Sequence, residues 1–150
     1  MPLTVQEILD DKVGQGGRTH GVAPGAPVRE AVAAMIREDI GSVVVLDGGK
    51  LAGILTLREI LKGLDALGAG LLDAPVSTVM NPAPAVVHPE DSADGLRALM
   101  TDRHVSHAPV VKDGRLVGII SFHDIARSAV KDVAFENRLL KQYIKNWPQS

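Results

Sequence analysis

Along this chain, apolar residues at helical spacing alternate with short apolar runs. Val28, Ala31, Val32, Met35 and Ile36 recur every three or four residues and predict an amphipathic helix, with Pro27 suited to its first position. The runs Ser42–Leu46 and Lys50–Leu55 flank Asp47-Gly48-Gly49, which predicts two short strands joined by a tight turn. A second helix is expected from about Thr56 to Leu64, and an extended segment around Gly21-Val22 precedes the first helix. The unit therefore reads β-α-β-β-α, with a short helix at Val5 to Leu9 ahead of it.

The unit occurs twice. An offset of 65 residues superposes Pro24 on Pro89, Met35 on Met100, Val45 on Val110, Gly49 on Gly114, Gly53 on Gly118 and Ile60 on Ile125, without a gap. The match includes turn glycines as well as apolar positions. In the second copy Ser92 is a candidate N-cap, and Ala93, Leu96 and Met100 carry the stripe. Ala108–Val111 and Arg115–Ile120 form the hairpin, a helix follows from about Ser121, and Val86-Val87 is the leading extended segment. Val76–Met80, ended by Asn81-Pro82, corresponds to the short helix at Val5. The glycine- and alanine-rich stretch from Gly63 to Ala74 reads as a connector. Each copy is too small to bury a comfortable core alone, so two α+β copies are expected to pack sheet to sheet. The cleft between pseudo-symmetric halves is then a natural ligand site. The expected organisation is a first repeat at 3–64, a connector at 65–74, a second repeat at 75–130 and a helical extension and tail at 131–150.

Composition narrows the chemistry. The 150 residues carry a formal net charge of −2, which gives no long-range attraction to nucleic acid or acidic membranes. No cysteine is present, which removes disulfides, thiolate metal sites and cysteine nucleophiles. Neither a membrane-length apolar run nor a signal peptide is read, so a cytoplasmic location is expected. Aromatic residues make up 3%, leaving the core to Val, Ile, Leu, Ala and Met and few rings to stack on bases.

The candidate chemistry lies where each hairpin ends. Gly53-Ile54-Leu55-Thr56-Leu57-Arg58-Glu59 is echoed by Gly118-Ile119-Ile120-Ser121-Phe122-His123-Asp124. Each places a hydroxyl at a strand's end and a carboxylate three residues on. That spacing makes a capping box, and the same geometry can grip a sugar diol while helix-start N–H groups favour a phosphate. The two readings are compatible.

The tandem units, each closing with Gly-apolar-apolar-Ser/Thr-x-x-Asp/Glu, resemble a pair of CBS (cystathionine β-synthase) domains, a Bateman module, from about Leu3 to Val130. The resemblance implies a stand-alone regulatory module that binds an adenosine nucleotide between the repeats and signals to an effector protein in trans. AMP is the first expectation, ATP or NAD(H) the next, and S-adenosylmethionine an occasional one. It also implies roles by position: Asp124 on the ribose hydroxyls, Ser121 beside ribose and phosphate, and Thr56 and Glu59 as their first-copy counterparts. Glu59 departs from the usual Asp, which places the better motif in the second copy. Arg58 matches a basic residue able to reach phosphate, or is an exposed helix charge. Ser106 and His107, with Val86 and Val87 on the adjoining strand, are implied to line the adenine and phosphate pockets.

Other constellations carry less. His20, His88, His104, His107 and His123 fall in different loops without helical ligand spacing, so no metal site is expected. Ser121, His107 and Asp124 lack a nucleophile elbow, and no enzyme is read. Gly14-Gln15-Gly16-Gly17 follows a helix rather than a strand and reads as a turn. After Asp124 the chain is expected to run helically to about Ile144, packing on its own core or against a second copy; paired CBS modules suggest a homodimer. The alternative function is a structural dimerisation protein with a degenerate ligand cleft.

Overall fold

A computed structural model describes residues 3–14 and 19–128, and in it the two halves fold alike. Helix α1 (Val5–Gly14) comes first. The first half then runs β1 (Gly21–Val22), α2 (Val28–Glu38), β2 (Ser42–Asp47), β3 (Lys50–Thr56) and α3 (Leu57–Leu67). Two 3₁₀ turns, Gly68–Asp73 and Val76–Thr78, lead to α4 (Ala93–Arg103), β4 (His107–Lys112), β5 (Arg115–Ser121) and a helix α5 over 122–128. The expected helix beyond this point, and residues 15–17 of the glycine turn, lie outside the described residues.

The 65-residue repeat is visible in fine geometry. Val45 opposes Gly53 before a register shift at Leu46, and Val110 opposes Gly118 before a shift at Val111. Both hairpins turn through two residues of positive φ, Gly48-Gly49 and Asp113-Gly114, the backbone that a tight two-residue hairpin loop requires. Helices α2 and α4 both end on a left-handed residue, Asp39 at φ 52° and His104 at φ 53°. The first half pairs β1 with β2 in parallel and β2 with β3 antiparallel. In the second half the leading segment is reduced to a parallel bridge between Val87 and Val110 beside the β4–β5 hairpin.

Several boundaries differ from the pattern-based expectation. Pro27 is the N-cap of α2 rather than its first residue, and Ile36, placed on the apolar stripe, is 79% exposed while Ala34 is buried. Helix α3 runs on to Leu67 and a 3₁₀ turn follows, so much of the connector is ordered. Close packing explains this: Leu71 lies against Gly63, where a Cβ would sit 2.6 Å from Leu71 Cδ1. Ser92 caps α4 as expected, its Oγ accepting from the Gly95 N–H at 3.0 Å.

Packing does not follow chain order. Val5, Ile8 and Leu9 of α1 enter the core of the second half with Leu96, Met100, Val110 and Ile120. Conversely, Leu71 and Val76 from the link complete the first-half core around Val28, Val43 and Leu55. A third cluster, Val44, Ile54 and Ile119, packs one sheet on the other. Each half is thus completed by a segment from outside its own hairpin unit, and the two pack sheet to sheet.

Candidate functional site

Two cavities open between the halves, and the repeat relates them. The larger, about 850 Å³, is walled by Glu38 to Ser42 of the first half and by Ser121 to Asp124 of the second. The smaller, about 80 Å³, is walled by His104 to His107 of the second half and by Thr56, Arg58 and Glu59 of the first. The offset that aligns the sequence carries Asp39 onto His104, Ser121 onto Thr56 and Asp124 onto Glu59. Each cavity therefore combines the closing motif of one repeat with the helix-to-strand entry of the other.

In the larger cavity Asp124 is only 4% exposed. A capping box holds it at the start of α5: Asp124 Oδ2 accepts from the Ser121 N–H at 2.9 Å, and Ser121 Oγ accepts from the Asp124 N–H at 3.0 Å. Lys12 Nζ lies 2.9 Å from Oδ2, and Arg127 Nη2 lies 2.6 Å from Oδ1. Burial pushes the Asp124 carboxyl up, but the Ser121 N–H and the Lys12 ammonium outweigh it and hold the group below its ordinary value. The cavity thus presents a buried, ionised carboxylate.

The smaller cavity holds its acid differently. Glu59 Oε1 accepts from both the Thr56 N–H, at 2.8 Å, and Thr56 Oγ1, at 2.6 Å. Like Asp124, Glu59 folds back on its own cap, here with the cap hydroxyl donating as well, and Arg58 Nη1 donates to the His104 carbonyl at 3.2 Å. The Ile54 carbonyl there accepts from the Asn81 N–H, whereas its counterpart Ile119 accepts from Lys12 Nζ at 2.8 Å. A backbone segment closes one cavity where a side-chain ammonium borders the other.

Of the residues singled out in the sequence, Ser121 and Asp124 line the larger cavity, and Thr56, Arg58 and Glu59 the smaller. Ser106 and His107 border both. Val86 and Val87 are in neither lining: Val87 is buried in the second-half core, and Val86 is 41% exposed. His107 Nδ1 pairs with Ser106 Oγ at 2.8 Å, and the imidazole lies 3.1 Å from where a Cβ on Gly41 would be. Burial, then the Lys12 charge, lowers the His107 pKa, while Asp124 and Glu59 pull it up. Among the described residues no group of three His, Asp or Glu gathers to hold a metal.

Sequence reasoning passed over Lys12, Arg127, Thr19 and the stretch Glu38–Ser42. Two signals were present. Arg127 stands three residues after Asp124, the spacing of a helical ion pair, and Asp39–Ser42 is the repeat partner of His104–His107. Lys12 left no local signal, because it reaches Asp124 only through the packing of α1 on the other half.

The family profile described as CBS domain matches residues 20–66 and 76–131. A curated relative, the mitochondrial CBS domain-containing protein CBSX3 of Arabidopsis thaliana, is 32% identical over 123 residues; the match covers 79% of this chain and 60% of that protein. The chain thus spans less than two thirds of that relative's length. Among solved structures, the CBS-domain containing protein ATU1752 of Agrobacterium tumefaciens superposes with a TM-score of 0.79 at 34% identity, covering 86% of this chain and 95% of that one. The CBS domain pair of protein MJ0100, solved with 5′-methylthioadenosine and S-adenosyl-L-methionine, superposes at 0.74 with 25% identity, covering 88% and 99%.

Proposed function

The chain belongs to the CBS domain family, and from that premise we propose that it is a regulatory module binding an adenosine nucleotide in the larger cavity. The observation that carries this is the buried Asp124 carboxylate, ionised and fixed at the wall of a cavity of about 850 Å³ between the repeats. A fixed anionic acceptor suits vicinal hydroxyls, and the volume is that of a small-molecule pocket. The neighbour solved with adenosine-bearing ligands supports the same class. AMP is the ligand of first choice, ATP and NAD(H) the next. Ile40, Ile119 and Phe122 are the apolar side chains of this cavity's wall against which the base would pack. Binding shifts the relative placement of the repeats, and an effector protein reads that change in trans.

We read the site as binding rather than catalytic: Ser121 Oγ is engaged in its helix cap, and His107 Nδ1 is paired with Ser106 Oγ rather than with Ser121. The test is a calorimetric titration of the whole chain with AMP, ATP, NADH and S-adenosylmethionine. One molecule of an adenosine nucleotide per chain is expected; no heat from any of the four at millimolar concentration would overturn the reading.

A homodimer is the proposed assembly. Leu57, Leu61, Leu64 and Leu67 form a stripe on α3 with exposures of 63%, 65%, 52% and 46%. Phe122, the repeat partner of Leu57, is 44% exposed. A leucine buried on association contributes roughly 1.5–3 kcal/mol, enough for such a stripe to drive pairing. Sedimentation is expected to give twice the 15.9 kDa chain mass, and Leu61→Lys to shift it toward the monomer. A wild-type monomer at high micromolar concentration would contradict this. The dimerisation-only alternative predicts the same mass without nucleotide binding.

A further inference from the structure

Asp124 is already engaged by protein donors. Oδ2 accepts from the Ser121 N–H and from Lys12 Nζ, each at 2.9 Å, and Oδ1 accepts from Arg127 Nη2 at 2.6 Å. A carboxylate offers about four acceptor positions, and a vicinal diol gripped by both oxygens needs one on each. On Oδ2 both are taken. The Ser121 bond is part of the cap that starts α5, so the donor that can leave is Lys12.

Lys12 belongs to neither repeat unit. It stands in the last turn of α1, 21% exposed, and borders the cavity. Its second bond, to the Ile119 carbonyl at 2.8 Å, keeps the ammonium at the cavity wall when the Asp124 bond is given up. A half-buried ammonium left with a carbonyl alone has lost its counter-charge, which is costly at low local dielectric. A ligand that brings an anion restores the pair with a charge-assisted bond, and a neutral one does not. The remaining carboxylates of the wall, Glu38 and Asp39, come from the end of α2 in the other half and disfavour an anion on their side. In the smaller cavity the Asn81 N–H takes the place of the ammonium, so this device belongs to one site.

We propose that Lys12 is the specificity-determining residue of the Asp124 cavity, exchanging Asp124 for the ligand's phosphate and so selecting nucleoside phosphates over nucleosides. This rests on the reading that an adenosine ligand binds at Asp124. The test compares AMP with adenosine by calorimetry on the full chain as wild type, Lys12→Met and Lys12→Arg. The wild type is expected to prefer AMP by about tenfold or more, and Lys12→Met to cut that preference below about threefold, mainly through weaker AMP binding. Lys12→Arg, which keeps the charge, should restore most of the preference, and thermal melts of the three proteins separate this from loss of fold. An unchanged AMP-to-adenosine ratio in Lys12→Met overturns the inference while leaving the nucleotide reading standing. Failure of the wild type to bind either compound overturns both.

Discussion

Asp124→Ala is expected to weaken AMP binding by at least about 30-fold, or about 2 kcal/mol, as for other losses of one partner in a buried charged contact. Glu59→Ala is expected to change it by less than about threefold. The asymmetry follows from the space each acid faces. Both accept from their own caps, but Asp124 faces a cavity of about 850 Å³ with its charge stabilised, whereas Glu59 faces one of about 80 Å³. Asp124→Ala also removes the cap of α5 and the counter-charge of Lys12, so part of the loss could come through the fold. Asp124→Asn retains the side-chain shape without the charge, and a comparable loss of affinity measured well below its melting temperature, where the variant is folded, assigns the effect to the carboxylate. Calorimetry on the three variants checks this, and a larger effect at Glu59 would move the primary site to the smaller cavity.

The largest effect on stability is expected at Gly53. A Cβ there would lie 2.7 Å from the Asn81 carbonyl oxygen and 2.7 Å from Met80 Sδ. The Asn81 oxygen is backbone and accepts from the Ile54 N–H in the bridge that ties the link to β3, so it cannot retreat without breaking that bond. At the repeat-related Gly118 the added carbon meets Leu9 Cδ2 at 2.8 Å, the far end of a flexible side chain. Gly53→Ala should therefore cost about 3 kcal/mol and Gly118→Ala about 1 kcal/mol, spanning the usual range for overpacking. Urea denaturation reads both differences directly. Equal costs, or a greater one at Gly118, would show that the backbone at Asn81 yields easily.

These two glycines also show what a sequence can and cannot reveal. Their alignment, with that of the turn glycines and apolar positions, disclosed the tandem repeat, the hairpins and the capping motifs, because each is written in residues close along the chain. The closure at Gly53 was not legible, since it depends on Asn81 arriving from another segment. Lys12 is the same case on a larger scale: α1 precedes the first repeat yet packs with Leu96 and Met100 of the second. Exchange of terminal segments between halves leaves no local trace. Ile36 fits the stripe of α2 by spacing and still points outward, because a regular period cannot say where the covered face ends. The resemblance places Val86 and Val87 beside the ligand. In the structure the bridge at Val87 turns its side chain into the core.

One cavity, built by the closing motif of the second repeat and the strand entry of the first, is proposed to hold a nucleotide by its ribose. A crystal structure of the full chain grown with AMP tests it most directly. One AMP per chain is expected between the repeats, with its ribose hydroxyls on Asp124 and Lys12 turned from Asp124 to the phosphate. AMP seated in the smaller cavity on Glu59, with the Asp124–Lys12 pair intact and the larger cavity without nucleotide, would contradict it.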